Sequence, residues 1–233
     1  MKIYNRTYNL FEEQTYIAAG DDGRCAVVDP GFSDAREQAD FFTLLDALKL
    51  TPEAILLTHG HFDHIFGVAA LQKKYGATVY MNPADSKLLD DPEASLGRLW
   101  GRLPDRSFEW KPAAEGDKVE AAGLSFEVIA TPGHTPGSVC WLMRREKAMF
   151  TGDTLFAGAI GRTDLKYGEY DDEIRSIMEK LMLLDGDIRI FPGHGPDSSI
   201  GDERLTNPFL EPFNEPEEEA DPDRPPIVIH PDA

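Results

Sequence analysis

The stretch LLTHGHFDHIFG places three histidines and one aspartate within six consecutive positions, 59 to 64, at the end of an apolar run. Alternate residues of an extended strand point to the same side, so His59 and His61 can converge on one ion. Asp63 and His64 come where the next helix is expected to begin, so they should project differently and serve a second ion beside the first. The spacing therefore predicts two metal sites supplied by one loop.

Three further candidate ligands each follow a predicted strand near a glycine. They are His134 after FEVIATPG, Asp153 after AMFTG and His194 after IRIFPG. Open sheets place their binding sites at strand ends. If these ends meet at one edge, the chain brings five imidazoles and two carboxylates to one centre. A scattered surface patch or a set of core histidines would not explain the shared local context.

Imidazole nitrogens and carboxylate oxygens suit borderline divalent ions such as zinc, manganese or iron. A carboxylate such as Asp153 can bridge two ions about 3.5–4 Å apart. Two ions would lower the pKa of a shared water, so that a bridging hydroxide becomes the nucleophile. We expect Asp63 to hold this hydroxide and to accept its proton. A purely structural zinc site is disfavoured, because such sites are usually closed and rich in cysteine.

Short β-branched runs closed by Gly, Pro or Asp alternate with helical patterns along the chain, which predicts an α/β fold. The runs TYIAA and CAVVD flank the turn GDDG and predict a β-hairpin. Helices are predicted over AREQADFFTLLDALKL, HIFGVAALQKKYG, PADSKLLDD and YDDEIRSIMEKLMLL, and strands over EAILLT, TVYMN, LSFEVIAT, VCWLM, KAMFTG and IRIFPG. A faint likeness between TYIAAGDDGRCAVVDPG and SVCWLMRREKAMFTGD favours an internally duplicated sheet-on-sheet core.

Length and charge limit the classes of function. A chain of 233 residues is long enough for one large domain. Its formal charge of −19 disfavours nucleic acid and anionic membrane surfaces as partners, because both would be repelled. No apolar stretch reaches the roughly 20 residues that span a bilayer, and no signal peptide is evident, so we expect a soluble, cytoplasmic protein. Cys25 and Cys140 lie in apolar runs and are expected to be buried free thiols.

The composition changes at residue 207. Residues 207–233 are rich in proline and acid, which predicts an extended tail after a catalytic domain of residues 1–206. An IVI run near the end could add an edge strand or pack on a partner subunit, so a homo-oligomer stays open. His230 is expected to be solvated. The stretch 90–115 has no clear period and forms either a flap over the site or an ordinary excursion.

The pattern T-H-x-H-x-D-H, followed by separated His, Asp and His, resembles the metallo-β-lactamase superfamily over nearly all of residues 1–206. The resemblance implies an αββα sandwich of the metallo-β-lactamase type. It also implies two metal sites and a bridge between them. The implied ligands are His59, His61 and His134 for one ion, Asp63, His64 and His194 for the other, and Asp153 as the bridge.

Within the superfamily, TGDTLFAGAIGRTD and PGHTPGS are similar to the short bacterial glyoxalase II type, the hydroxyacylglutathione hydrolases. The resemblance implies an acyl-thioesterase with two divalent ions, zinc before iron or manganese, and a small-molecule thioester as substrate. Best-known β-lactamases use a cysteine where Asp153 stands. Two tyrosines of glyoxalase II are replaced by Asp164 and Pro196. Only 39 residues, many of them acidic or proline, follow His194 where glyoxalase II carries a helical glutathione-gripping domain, so the thiol carrier is open.

Three other side chains have expected roles around the ligands. Arg162 follows a glycine-rich strand end and either binds a substrate carboxylate or pairs internally with Asp164. Asp29, in VVDPG, is expected to orient a histidine rather than to bind metal. A thiolate leaving group, with a thiol pKa near about 8.5, departs without much protonation, so thioester hydrolysis needs no dedicated acid.

An oxidoreductase is the alternative function. His59, His134 and Asp153 alone form a two-histidine, one-carboxylate set that suits mononuclear ferrous iron and dioxygen chemistry. The GRTD stretch around Arg162 is similar to the persulfide dioxygenases, another branch of the same superfamily. Because those relatives keep the other motif residues, the number of bound metal ions separates the two functions better than the motif does.

Overall fold

Two β-sheets of six strands each dominate the part of the chain that the structure describes, residues 1–91, 101 and 103–211 of a computed structural model. The strands are Lys2–Tyr8 (β1), Glu13–Ala19 (β2), Arg24–Val28 (β3), Thr51–Leu56 (β4), Thr78–Met81 (β5), Trp110–Pro112 (β6), Lys118–Ala121 (β7), Leu124–Ala130 (β8), Val139–Met143 (β9), Ala148–Gly152 (β10), Leu155–Phe156 (β11), Ala159–Ile160 (β12), Arg189–Pro192 (β13) and Ser198–Ser199 (β14). The helices are Ala35–Leu48 (α1), Phe62–Ile65 (α2), Val68–Tyr75 (α3), Ser86–Asp90 (α4), Tyr170–Ser176 (α5) and Ile200–Thr206 (α6), with a 3-10 turn at Pro83–Asp85 and a π-helical turn at Ile177–Leu181.

The two sheets have related topologies. The first has the order β1-β2-β3-β4-β5-β6, antiparallel as far as β3 and parallel from β3 onward. The second has the order β14-β13-β10-β9-β8-β7, antiparallel except for the parallel pair β10 and β13. The hairpins β2–β3 and β9–β10, whose sequences resemble each other, lie in different sheets, as a duplicated core would place them.

Side-chain alternation along the strands divides the molecule into four layers. On β3, Val27 packs on the side of α1, while Val28 packs between the sheets. On β9, Trp141 packs between the sheets, while Leu142 packs on the side of the π-helical turn. The inner strands β3 and β9 bury both faces, because successive side chains of a strand point to opposite sides and both sides of each strand are covered. The order helix, sheet, sheet, helix confirms the predicted αββα sandwich.

Local signals define the first helix. The Asp34 side chain accepts hydrogen bonds from the backbone N–H groups of Arg36 and Glu37, which caps the start of α1. Phe41 and Leu45, four residues apart, lie on its buried face. The helix ends where Lys49 adopts the left-handed conformation at φ 56°. The predicted helix over this stretch is therefore confirmed.

One predicted helix is wrong. The sequence HIFGVAALQKKYG was expected to form a single helix, but α2 and α3 are separate and Gly67 lies between them. The N–H of Gly67 donates to the carbonyl oxygen of Pro30 at 2.7 Å, and a Cβ on this glycine would lie 2.4 Å from the Phe32 ring. Packing against the loop after β3 therefore interrupts the helix, and α2 is short enough to aim Asp63 and His64 independently of α3.

The first residues after the predicted domain boundary pack against the domain. The side-chain amide of Asn207 donates to the carbonyl oxygen of Ala159 at 3.1 Å, and Leu210 is buried in the core beside the π-helical turn. Residues 212–233, which include most of the predicted tail and His230, lie outside the described residues, as do 92–100 and 102 of the predicted flap. The domain boundary stays a prediction. None of the described helices combines the length and apolarity needed to cross a bilayer.

Both cysteines are buried and free, as the sequence predicts. Burial raises the pKa of the Cys25 thiol and of the Cys140 thiol to about 12. We therefore expect neither thiol to react with an aromatic disulfide reagent at about pH 8 in the folded protein, and both to react in denaturant. Absorbance of the released reagent measures the titre. Rapid reaction of one thiol in the native protein would contradict the buried position of that cysteine.

Candidate metal centre

Strand ends from both sheets meet at one edge of the sandwich. His59 and His61 follow β4, His134 follows β8, and Asp153 and His194 follow β10 and β13. Two hydrogen bonds between the sheets hold these ends together. The N–H of Val139 donates to the carbonyl oxygen of Thr58 at 2.8 Å, and the Tyr16 hydroxyl donates to the carbonyl oxygen of Pro192 at 2.7 Å. The predicted convergence of strand ends is therefore what the structure shows.

The first ligand group consists of His59, His61 and His134. Each offers a ring nitrogen within 4.8 Å of the others, and all three side chains are buried. Nδ1 of His61 lies 2.9 Å from Nε2 of His134. Two residues apart on an extended segment, His59 and His61 reach the same point, which is the arrangement that their spacing predicts.

The second ligand group consists of Asp63, His64 and His194. Its ligand atoms also lie within 4.8 Å of one another. Nε2 of His64 and Nε2 of His194 are 3.3 Å apart, and Oδ2 of Asp63 lies 3.7 Å and 3.5 Å from them. The short helix α2 turns Asp63 and His64 away from the first group, so one loop serves two groups.

Asp153 lies between the two groups. Its Oδ1 is 3.4 Å from Nε2 of His64, and its Oδ2 is 3.6 Å from Nε2 of His134 and 3.5 Å from Nε2 of His194. The backbone of Gly193 comes so close that a Cβ there would lie 2.2 Å from Oδ1 of Asp153. A side chain at position 193 would therefore displace this carboxylate. All seven predicted ligands are brought together, with Asp153 in the central position.

Hydrogen bonds on the outward nitrogens assign the tautomers of three imidazoles. Nδ1 of His134 lies 2.7 Å from the carbonyl oxygen of Arg162, and Nδ1 of His194 lies 2.9 Å from that of Phe11. Nδ1 of His64 lies 3.1 Å from Oδ2 of Asp29. Each Nδ1–H donates to an oxygen, so we assign Nε2, which faces the centre, as the nitrogen that carries the lone pair once the ring is neutral.

Asp29 and Thr58 orient the fourth imidazole through a relay. Asp29 accepts hydrogen bonds from the N–H of Thr58 at 2.8 Å and from its hydroxyl at 2.6 Å. The Thr58 oxygen, having donated its proton, accepts from Nδ1 of His59 at 3.0 Å. This relay leaves the lone pair of His59 on Nε2. Asp29 therefore orients His59 and His64, in keeping with the role expected from the sequence.

The donor set fits two divalent cations. Nε2 of His59 and Oδ1 of Asp153 are buried and have no hydrogen-bond partner in the described part of the chain. Elsewhere two pairs of imidazole nitrogens approach each other, Nδ1 of His61 and Nε2 of His134 at 2.9 Å and Nε2 of His64 and Nε2 of His194 at 3.3 Å, so each pair needs a proton or a metal ion between its nitrogens. Nitrogen and oxygen donors of this kind suit zinc, iron or manganese.

Burial and carboxylates push the pKa values of the histidines in opposite directions. Burial and the neighbouring imidazoles lower the pKa of His59 well below its usual value. At His64, burial acts in the same direction, but Asp153 and Asp63 outweigh it and raise the pKa well above the usual value. At His194, burial also lowers the pKa, but Asp153 and Asp63 together outweigh it and raise the pKa. The second ligand group is therefore the one from which a metal ion must displace protons.

The Arg162 side chain lies in an exposed ion pair. Nε and Nη2 donate to the two carboxylate oxygens of Asp164, each at 2.7 Å. Both side chains are more than half exposed. Of the two expected alternatives, the internal pair with Asp164 is the arrangement present, while the backbone carbonyl of Arg162 orients His134.

Two buried carboxyl groups beside the His134 loop were not anticipated. Oε2 of Glu173, on α5, accepts a hydrogen bond from the backbone N–H of His134 at 2.8 Å, and burial raises the pKa of Glu173 to about 8. Asp85 contacts the same loop from the other side, and burial raises its pKa. Both residues lie in polar helical patterns that are typical of a solvated face, so the sequence holds no signal that they are buried.

We expect binding of divalent metal to release protons from His64 and His194, because their raised pKa values keep the imidazoles protonated in the metal-free protein. A proton competes with the ion for Nε2, so the apparent affinity should increase as the pH rises from about 6 to about 8. Calorimetry in buffers of different ionisation enthalpy measures the protons released. His194→Asn should release fewer. An affinity that does not change with pH would contradict this assignment.

Comparison with known proteins agrees with the geometry. Residues 10–194 match the family model of the metallo-beta-lactamase superfamily. The chain is 36% identical over 206 residues to the hydroxyacylglutathione hydrolase GloC of Haemophilus influenzae, covering 86% of this chain and 93% of that protein.

Two solved structures are also similar. The crystal structure of the BLEG-1 B3 metallo-beta-lactamase has a TM-score of 0.83 at 34% identity, covering 90% of this chain and 99% of the other. The crystal structure of TTHA1623 in a di-iron-bound form has a TM-score of 0.78 at 35% identity, covering 89% and 100%. The fold, the ligand arrangement and these matches show that the chain belongs to the metallo-β-lactamase superfamily.

Proposed function

We propose that the protein is a dinuclear metal-dependent hydrolase that cleaves acyl thioesters of the hydroxyacylglutathione type. The observation that supports this proposal best is the assembly of two complete three-ligand groups with the Asp153 carboxylate between them. The likeness to GloC supports the thioester as substrate. For the physiological metal we propose zinc, with iron as the next choice because one similar structure is in a di-iron-bound form.

The first ligand group would hold one ion and the second group the other, with Asp153 shared between them. When bound, the two ions would supply a water of lowered pKa and a Lewis acid for the substrate carbonyl. The protein contributes rigidity. Because each outward Nδ1–H of His64, His134 and His194 is hydrogen-bonded, these rings cannot rotate without losing a contact.

Asp63 is the side chain that we assign to the attacking water. Burial would favour its neutral form, but His64 and His194 outweigh burial and lower the pKa of Asp63, so the carboxylate stays ionised. An ionised carboxylate accepts a hydrogen bond from the water and orients it. Because its basicity is low, Asp63 orients the water rather than keeping its proton, which leaves to solvent. The thiolate leaving group departs without an acid, since its thiol has a pKa near about 8.5.

Substrate enters beside His194. The His194 side chain is 26% exposed, whereas the other ligand side chains with a stated exposure are nearly buried. The Phe156 ring lies 6.4 Å from the His194 ring, centroid to centroid, and the Phe11 carbonyl orients this histidine from the same side. The acyl group therefore approaches past aromatic side chains.

We assign to Arg162 the binding of a substrate carboxylate, which would replace Asp164 in the ion pair. Exposed ion pairs contribute only about 0–1 kcal/mol, so a substrate carboxylate can replace Asp164 at little cost. A guanidinium also matches a carboxylate in a two-pronged geometry. Its backbone carbonyl orients His134, which connects the proposed carboxylate site to the first ligand group.

We expect Arg162→Ala to raise KM for a carboxylate-bearing thioester roughly 10-fold with little change in kcat, because a charged hydrogen bond is lost in binding alone. Asp164→Asn should lower KM, since it removes the competing carboxylate. Arg175→Ala is the matched control, because Arg175 also lies in an exposed pair, with Asp172. Steady-state kinetics measures all three variants. An unchanged KM in Arg162→Ala would remove Arg162 from the substrate site.

The rival function, persulfide oxidation at one ferrous ion, would use only His59, His134 and Asp153. Because persulfide dioxygenases keep the other motif residues, the likeness to GloC, and not the ligand set, favours the hydrolase. We expect protein purified without chelator to contain about two ions per chain and to hydrolyse a hydroxyacylglutathione. Asp153→Asn should lose most of this activity.

Elemental analysis and four assays separate the outcomes: hydrolysis of a hydroxyacylglutathione, of an acyl-coenzyme A and of a β-lactam, and oxygen uptake with glutathione persulfide. One iron per chain with oxygen uptake would replace the proposed function by the rival. Two ions with β-lactam cleavage and no thioester cleavage would keep the centre and reject the substrate class. Cytoplasmic location, the exclusion of nucleic-acid partners and a possible homo-oligomer stay predictions.

A further inference from the structure

A buried carboxylate outside the ligand set connects the two loops of the first ligand group. Asp85 is the last residue of the 3-10 turn before α4, and its side chain is fully buried. Oδ2 accepts hydrogen bonds from the N–H of Gly60 at 2.8 Å and from the Thr135 hydroxyl at 2.8 Å. Oδ1 accepts from the N–H of Gly137 at 2.6 Å.

These donors lie next to the ligands in sequence. Gly60 separates His59 from His61, and Thr135 directly follows His134. The loop 59–61 belongs to the first sheet and the loop 133–138 to the second, so their separation depends on the contacts between them. We propose that Asp85 is a positioning residue that preforms the first ligand group by holding these two loops together. The inference rests on the proposed metal centre.

Both loops have a glycine at the point where they approach the Asp85 side chain. A Cβ on Gly137 would lie 2.6 Å from Cγ of Asp85, and a Cβ on Gly60 would lie 3.3 Å from its Cβ. A side chain at position 137 would therefore clash with Asp85, and one at position 60 would be in tight contact with it. The contact requires the Asp85 carboxylate and the Gly137 backbone together.

An asparagine at position 85 has nearly the same size as the aspartate but cannot accept the hydrogen bonds from both loops. A carboxylate accepts on both oxygens, whereas an amide has one accepting oxygen and one donating NH2. If the NH2 faces Gly137, two donors meet at 2.6 Å and the loop 133–138 is displaced. If it faces Gly60, the loop 59–61 loses its acceptor, while the Thr135 hydroxyl can turn to Ser138, 2.8 Å away. Either orientation releases one loop that carries ligands.

The second ligand group does not depend on Asp85. Asp29 and the carbonyl oxygen of Phe11 orient His64 and His194, and Asn9 donates to the carbonyl oxygen of Asp63 at 3.1 Å. Loss of Asp85 should therefore weaken one ion and spare the other. A residue that only stabilises the fold would weaken both ions equally or neither.

We expect Asp85→Asn to weaken the first-group ion about 10- to 100-fold, the loss typical when a supporting partner of a metal ligand is removed, and to leave the second-group ion within about threefold. Competition titration of the full chain with Zn²⁺ and a chromophoric chelator measures both affinities. The visible absorption of Co²⁺-loaded protein reports the first-group geometry independently of activity. His194→Asn should show the opposite pattern. Asp90→Asn, on the helix α4 that follows Asp85 and with its side chain 91% exposed, should leave both affinities unchanged.

A second pair of variants applies if Asp85→Asn does not fold. Thr135→Val removes one donor and should weaken the first-group ion, whereas Thr135→Ser keeps the hydroxyl and should preserve its affinity. Folded Asp85→Asn protein with both wild-type affinities and an unchanged Co²⁺ spectrum would overturn the proposal. If Asp85→Asn does not fold, equal affinities in Thr135→Val and Thr135→Ser would overturn it. Failure of the wild-type protein to bind two ions would instead reject the metal centre itself.

Discussion

The centre depends on one repeated constraint: in four of its five imidazoles, the nitrogen that faces away from the cluster is hydrogen-bonded to an oxygen of the surrounding protein. The oxygens come from the backbone at Phe11 and Arg162, from the Asp29 carboxylate and from the Thr58 hydroxyl. These bonds select the tautomer and aim the lone pair inward. Without these bonds we expect the buried imidazoles to rotate away from one another, because their lone pairs repel and because burial removes the rings from water.

The arrangement of the two sheets brings these oxygens close to the histidines. Both sheets direct strand ends to one edge, and the bonds from Val139 to Thr58 and from Tyr16 to Pro192 keep the two edges in register. The core between the sheets is apolar and closely packed around Trp141, whose indole N–H donates to the Leu57 carbonyl at 3.1 Å, just before the first ligands. The packing of the core between the sheets therefore sets the distance between ligand loops that belong to different sheets.

Buried acids support the ligand loops, although the chain as a whole is strongly acidic. Asp85 and Glu173 contact the loop that carries His134 from opposite sides, and Glu13 is buried beside Thr15 behind Asp29. Burial raises the pKa of Glu13 and of Glu173, which limits the negative charge around the centre. At Asp63, by contrast, burial is outweighed by His64 and His194, which lower the pKa and keep the carboxylate ionised, and Asp63 in turn helps to raise the pKa of His64.

Residue types and spacing predicted the seven candidate ligands, two metal sites supplied by one loop and an α/β fold, because strand alternation and strand-end motifs are local properties of the chain. The αββα class and the assignment of His134, His194 and Asp153 within the centre came from the resemblance to the metallo-β-lactamase superfamily. Only the tertiary structure decided the break at Gly67, since that break comes from the contact with Pro30 and Phe32. The same is true of Asp85 and Glu173. A polar helical pattern predicts that an acid is exposed to solvent. The groups that donate hydrogen bonds to the buried Asp85 and Glu173 lie far from them in sequence, so the sequence alone does not indicate their burial.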